Sequence, residues 1–130
     1  MSALGFEIRT AQLTPSIYVV SVTGEIDAFT SPALEQELDW VLRDGASNVV
    51  VDLGEVAFID STALRVFLRA LPRFSKRGGK LVLATDDSRV LKTLEITGLD
   101  RKFTVEPRLA EAISRLADGR TPVPEGDKVG

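Results

Sequence analysis

Residues 48–64 read NVVVDLGEVAFIDSTAL. Asn48-Val49-Val50-Val51-Asp52-Leu53 is apolar without alternation and bounded by turn formers, the pattern of a buried strand. After it, the apolar pair Phe58-Ile59 runs into Asp60-Ser61-Thr62, and Leu64, Phe67, Leu68, Leu71 and Phe74 then repeat at helical spacing. Asp60 is therefore predicted to cap a helix that begins at Ser61, accepting from the N–H of Thr62 or Ala63. A buried strand followed at once by an amphipathic helix is half of a β-α-β crossover unit, and crossovers join parallel strands.

The neighbouring segments repeat that alternation. Downstream, Gly78-Gly79 ends the helix and Leu81-Val82-Leu83-Ala84 is a second buried strand. Val90, Leu91, Leu94 and Ile96 mark a helix within 86–97, with Gly98 suited to the left-handed position after it and Leu99 placed to fold back onto Leu94. Phe103-Thr104-Val105 is a short last strand, and Leu109, Ala112, Ile113 and Leu116 form the stripe of a last helix. Upstream, Ser31-Pro32 reads as N-cap and first position of a helix with the stripe Leu34, Leu38, Val41 and Leu42, stopped by Gly45. Ile17–Val22, ended by Gly24, pairs through the turn Thr14-Pro15-Ser16 with an edge strand at Phe6–Arg9. The order is ββαβαβαβα, an α/β domain over residues 1–117. Periodicity leaves open whether the helices share one face of the sheet. Pro72, inside the Ser61 helix, predicts a kink or break near residues 68–72. The tail DGRTPVPEGDKVG, 118–130, has no apolar period and is expected to be disordered.

Composition narrows the chemistry. The chain has 130 residues, a net charge of −3, and neither cysteine nor histidine. A zinc site and a Ser-His-Asp triad both lack their essential groups. The charge argues against a nucleic-acid partner. No stretch reaches the roughly 18 apolar residues of a membrane span, and MSALGFEIRT has no signal-peptide pattern, so a cytoplasmic protein is expected. A magnesium-bound aspartate site would need an acidic pair after the first strand, which is missing, although Asp86-Asp87 follows a later one. A serine hydrolase using Ser61 with Lys80 as base needs a proximity that nothing in the sequence supplies. No cofactor is expected.

Ser61 has a second reading beside its place in a capped first turn. A serine there projects beside the positive end of the helix, which stabilises a phosphate. Arg65, Arg69, Arg73 and Lys76 fall on one narrow face of the same helix. That face is either a solvated exterior or a basic strip for an acidic partner, and Arg65, one turn after Ser61, could reach a phosphate on it.

Three stretches together resemble a known family: GEIDAFTSPAL (24–34), VVVDLGEVAFIDSTAL (49–64) and RGGKLVLATDDSRVLKTLEITGLD (77–100). In this order and spacing they resemble the anti-sigma factor antagonists of the STAS domain family, over roughly Phe6 to Leu116. The resemblance implies a small mixed sheet of about five strands with about four helices packed mainly on one face. It implies a non-enzymatic protein that binds a serine-kinase anti-sigma factor and so releases a sigma factor. Phosphorylation at the position of Ser61 would end that binding, and a serine phosphatase would restore it. The implied partner-binding set is Asp27, Asp60, Ser61, Thr62, Ala63 and Arg65. The family motif continues with glycines where this chain has Ala63 and Arg65, a departure that could retune which kinase is recognised. The alternative role within the family is a scaffold or ligand-sensing module of a stress-signalling complex without a phospho-switch.

Overall fold

The computed structural model describes residues 5–118. Its elements are β1 (Glu7–Gln12), β2 (Ile17–Ile26), α1 (Ser31–Arg43), β3 (Asn48–Ile59), α2 (Ser61–Ser75), β4 (Leu81–Ala84), α3 (Ser88–Ile96), a single 3-10 turn (Leu99–Arg101), β5 (Thr104–Glu106) and α4 (Leu109–Asp118). This is the expected ββαβαβαβα order. The sheet is mixed and its strands lie in chain order, β1-β2-β3-β4-β5. β1 runs antiparallel to β2, and each later neighbour is parallel. Of the tail expected to be disordered over 118–130, Asp118 is the last residue of α4, and residues 119–130 lie outside the described residues.

The valine run of β3 is buried because both faces of the sheet are covered. Val49, Val51 and Leu53 join Tyr18, Val20, Val22, Leu81 and Leu83 under α1, α2 and α3. The intervening Val50, with Ile17, Val19, Val82 and Ala84, lies under Ala112 and Leu116 of α4. The helices are thus packed mainly on one face, and α4 alone covers the other. This division was invisible in the sequence, because the stripe of α4 looks like any other amphipathic stripe.

Three local expectations are corrected. β2 does not end at Gly24 but continues to Ile26, and β3 continues past Gly54 to Ile59. Gly24 is a bulge instead of a terminator: its φ is +104°, and a Cβ there would stand 3.0 Å from the Gly5 carbonyl oxygen and 3.1 Å from Phe6 Cα. The β2–β3 register shifts on both sides of it. Second, the N-cap of α1 is Thr30, and Ser31 is a buried residue of the first turn. The reason is the tight Asp27–Thr30 turn described below, which satisfies the amides before Ser31 is reached. Third, of the kink or break expected near residues 68–72, the break does not occur: α2 is one continuous helix through Pro72. Pro72 lies on the exposed side, while the fully buried Phe74 anchors the last turn and Lys76 still donates to the Pro72 carbonyl at 2.9 Å.

β4 pairs with β3 only over Val49–Asp52. The end of β3 and residues 24–26 of β2 therefore project beyond the rest of the sheet as a two-stranded extension. Its α4-side face is uncovered, with Glu25 and Phe58 both exposed. Both α1 and α2 begin at its tip.

Candidate functional site

Two turns meet at that tip. The first joins β2 to α1. Asp27 Oδ1 accepts from the backbone N–H of Phe29 at 2.9 Å and of Thr30 at 3.0 Å. The Thr30 hydroxyl donates to the Glu25 carbonyl at 2.8 Å and accepts from the Asp27 N–H at 3.0 Å. Ser31 N–H closes onto the Asp27 carbonyl at 2.8 Å. Asp27 is thus a turn-forming residue, half-buried, whose short side chain replaces backbone partners.

The second turn joins β3 to α2. Asp60 is the N-cap, as predicted: its Oδ1 accepts from the N–H of Thr62 at 2.9 Å and of Ala63 at 3.3 Å, and from the Thr62 hydroxyl. Partial burial pushes the Asp60 carboxyl up, but the hydrogen bonds from the Thr62 hydroxyl and from the Thr62, Ala63 and Ala28 amides outweigh it and hold the group below its ordinary value. The turns are stitched together, since the Asp60 N–H donates to the Ile26 carbonyl at 3.1 Å and the Ala28 amide points at the Asp60 carboxylate.

Ser61 stands next to this junction as the first residue of α2, and it is exposed. Among the described residues its hydroxyl makes no hydrogen bond. Thr62 is half-buried with its hydroxyl committed to Asp60. Ala63 is removed from the exposed set: it is fully buried, because the third position of this helix turns its Cβ into the core beside Leu64, Val66 and Phe67. A partner cannot touch its methyl group. Arg65 is exposed one turn further on. The structure therefore groups Asp27, Asp60, Ser61 and Thr62 at one tip, with Arg65 beside them.

The basic face of α2 resolves residue by residue. Arg69 forms a two-pronged pair with Glu35 of α1, both hydrogen bonds at 3.0 Å, and Arg73 pairs with Asp39 one turn along. The matched four-residue spacing on the two helices makes these internal helix–helix contacts. Among the described residues Arg65 has no such pair.

Sequence reasoning did not single out two exposed aromatic residues near this tip. Phe29 is 69% exposed at the top of the first turn, and Phe58 is 47% exposed two residues before Asp60. The available signal was negative: neither belongs to an apolar stripe, and Phe29 is the one large apolar residue in the polar turn DAFTSP. The hydrolase pair does not assemble. Lys80 sits at the foot of the sheet, its carbonyl accepting from Val49 N–H at the start of β3, the length of that strand away from Ser61. Asp87 caps α3, accepting from the amides of Arg89 and Val90. Among the described residues no three potential ligands converge as a metal site, and no helix is long and apolar enough to cross a membrane.

Comparison with known proteins agrees with this architecture. The model of the STAS domain family matches residues 9–112. An anti-sigma-B factor antagonist of Staphylococcus aureus is 35% identical over 82 residues, 63% of this chain and 76% of the relative. A crystal structure of an anti-sigma factor antagonist from Mycobacterium paratuberculosis superposes with a TM-score of 0.75 at 32% identity, covering 91% of this chain and all of the other. SpoIIAA, a Bacillus cell fate determinant solved in its phosphorylated form, shares the fold with a TM-score of 0.67 at 16% identity, over 85% of this chain and 99% of its own.

Proposed function

Because the chain belongs to the STAS domain family, among the anti-sigma factor antagonists, we propose that it binds a serine-kinase anti-sigma factor, releases the sigma factor held there, and is switched off by phosphorylation of Ser61. The observation that carries this reading is the exposed, unengaged hydroxyl of Ser61 at the first position of α2, on a tip built by Asp27 and Asp60. A serine phosphatase would restore the binding form. The protein itself catalyses nothing in this scheme and acts in the cytoplasm.

The chemistry of the switch follows from the occupancy of the helix N-terminus. Asp60 already takes the Thr62 and Ala63 amides, so a phosphate on Ser61 finds them engaged. It adds about −1.5 to −2 charges beside a carboxylate held ionised by those same bonds. Covering this charge with a partner costs several kcal/mol unless a cation meets it. About 4 kcal/mol weakens binding about a thousandfold. Arg65 is the nearby cation of the chain itself, and it tempers the effect in proportion to how closely it approaches the phosphate.

The test is incubation with candidate kinase anti-sigma factors and ATP, followed by mapping of the phosphate by mass spectrometry. Modification at Ser61 is expected. Ser61→Ala should bind constitutively and Ser61→Asp poorly. Phosphate elsewhere, or none with any candidate kinase, overturns the reading.

A further inference from the structure

Six large apolar side chains are exposed among the described residues, and two of them, Phe29 and Phe58, belong to the two chain segments that meet at the Ser61 tip. Leu13 lies in the β1–β2 turn, Trp40 on α1, and Leu91 and Ile96 on α3. Phe29 and Phe58 stand at the tip. Phe58 is paired across the extension with Glu25, whose carbonyl holds the Thr30 hydroxyl. Phe29 follows Ala28, whose amide points at Asp60. Both phenyl rings thus spring from backbone hydrogen-bonded into the same junction that presents Ser61.

A phenylalanine at 69% exposure in a polar turn leaves apolar area in water for no internal gain. Its backbone is nevertheless rigid: the Phe29 amide is bound by Asp27, and the next residue is held through its amide and hydroxyl. Rigidly displayed aromatic side chains bind with little ordering cost, and buried aromatics dominate the energetics of protein interfaces.

We propose that Phe29 and Phe58 are the aromatic anchors that grip the anti-sigma factor, and that seating them is what makes a phosphate on Ser61 intolerable. This rests on the function proposed above. The partner required has two apolar sockets separated by a small neutral patch that receives Ser61. With both rings seated, water is excluded between them and a phosphate there loses its hydration; with a ring removed, water reaches the phosphate and the penalty shrinks.

The experiment is calorimetric titration of the cognate kinase anti-sigma factor with the wild-type protein, Phe29→Ala and Phe58→Ala, each with and without Ser61→Glu. Each phenylalanine variant is expected to bind about tenfold or more weakly. The fold-loss caused by Ser61→Glu should be smaller in Phe29→Ala than in the wild type. Thermal melting monitors folding, and the more exposed Phe29 decides the matter if Phe58→Ala is destabilised. Wild-type affinity in Phe29→Ala, or an undiminished effect of Ser61→Glu in it, overturns the anchor proposal while leaving the proposed function standing. A wild-type protein that binds no kinase anti-sigma factor brings down both.

Discussion

Asp60 carries two duties. It caps α2 through the Thr62 and Ala63 amides, and it ties the neighbouring turn through Ala28. Loss of an N-cap costs about 1 kcal/mol, so Asp60→Ala should lower the unfolding free energy by about that amount in urea titration. The pH dependence has a defined sign. The folded pKa lies below the unfolded value near 3.8, so the carboxylate contributes its full stability above that pH and loses it as pH falls through the folded pKa. Asp87 behaves alike, its pKa brought to about 2 first by the Arg89 side-chain hydrogen bond and then by the Arg89 amide. Stability should therefore decline between about pH 4 and pH 2, and thermal melts of Asp60→Asn and Asp87→Asn should show a shallower acid decline than the wild type. The cap at Asp60 was legible because capping is local to four residues. The direction of Ala63 into the core was not, since it depends on how α2 is rolled against the sheet.

α1 and α2 are locked together at both ends. Arg69 and Arg73 reach Glu35 and Asp39 along their length, each pair being exposed and modest in strength. At the foot, the Arg77 guanidinium binds the carbonyls of Leu42 and Ala46 at 2.6 and 2.7 Å, satisfying the end of α1. Gly79, in the turn between α2 and β4, lies so close to the start of β3 that a Cβ would fall 1.6 Å from the Ser47 carbonyl oxygen. Gly79→Ala should destabilise by about 3 kcal/mol, the upper end for overpacking, because the obstacle is backbone and cannot swing away. A denaturant midpoint equal to that of the wild type would refute the close approach. The glycine pair was readable as a stop signal. That the second glycine is required by a neighbouring loop, and that Arg69 and Arg73 of the basic face are engaged by α1, emerges only when the two helices are side by side.

The molecule as a whole has two unequal cores on opposite faces of one sheet. The smaller depends on α4, whose Ala112 and Leu116 cover Ile17, Val19, Val50, Val82 and Ala84. Leu116 is 4% exposed, and Leu116→Ala should cost about 2 kcal/mol, the low end for a buried leucine because it sits near the end of the helix. Equilibrium unfolding measures this directly. The element order, the parallel strands and the capped start of α2 followed from the sequence alone, because hydrophobic period, caps and turn formers act over a few residues and each specifies its own segment. The extent of β2 and β3, the assignment of α4 to the second face, and the docking of the Asp27–Thr30 turn against Asp60 at the start of α2 were decided by tertiary structure. Those features depend on which strand lies beside which and where its partner ends. Such contacts join residues some thirty positions apart, and no local pattern records them.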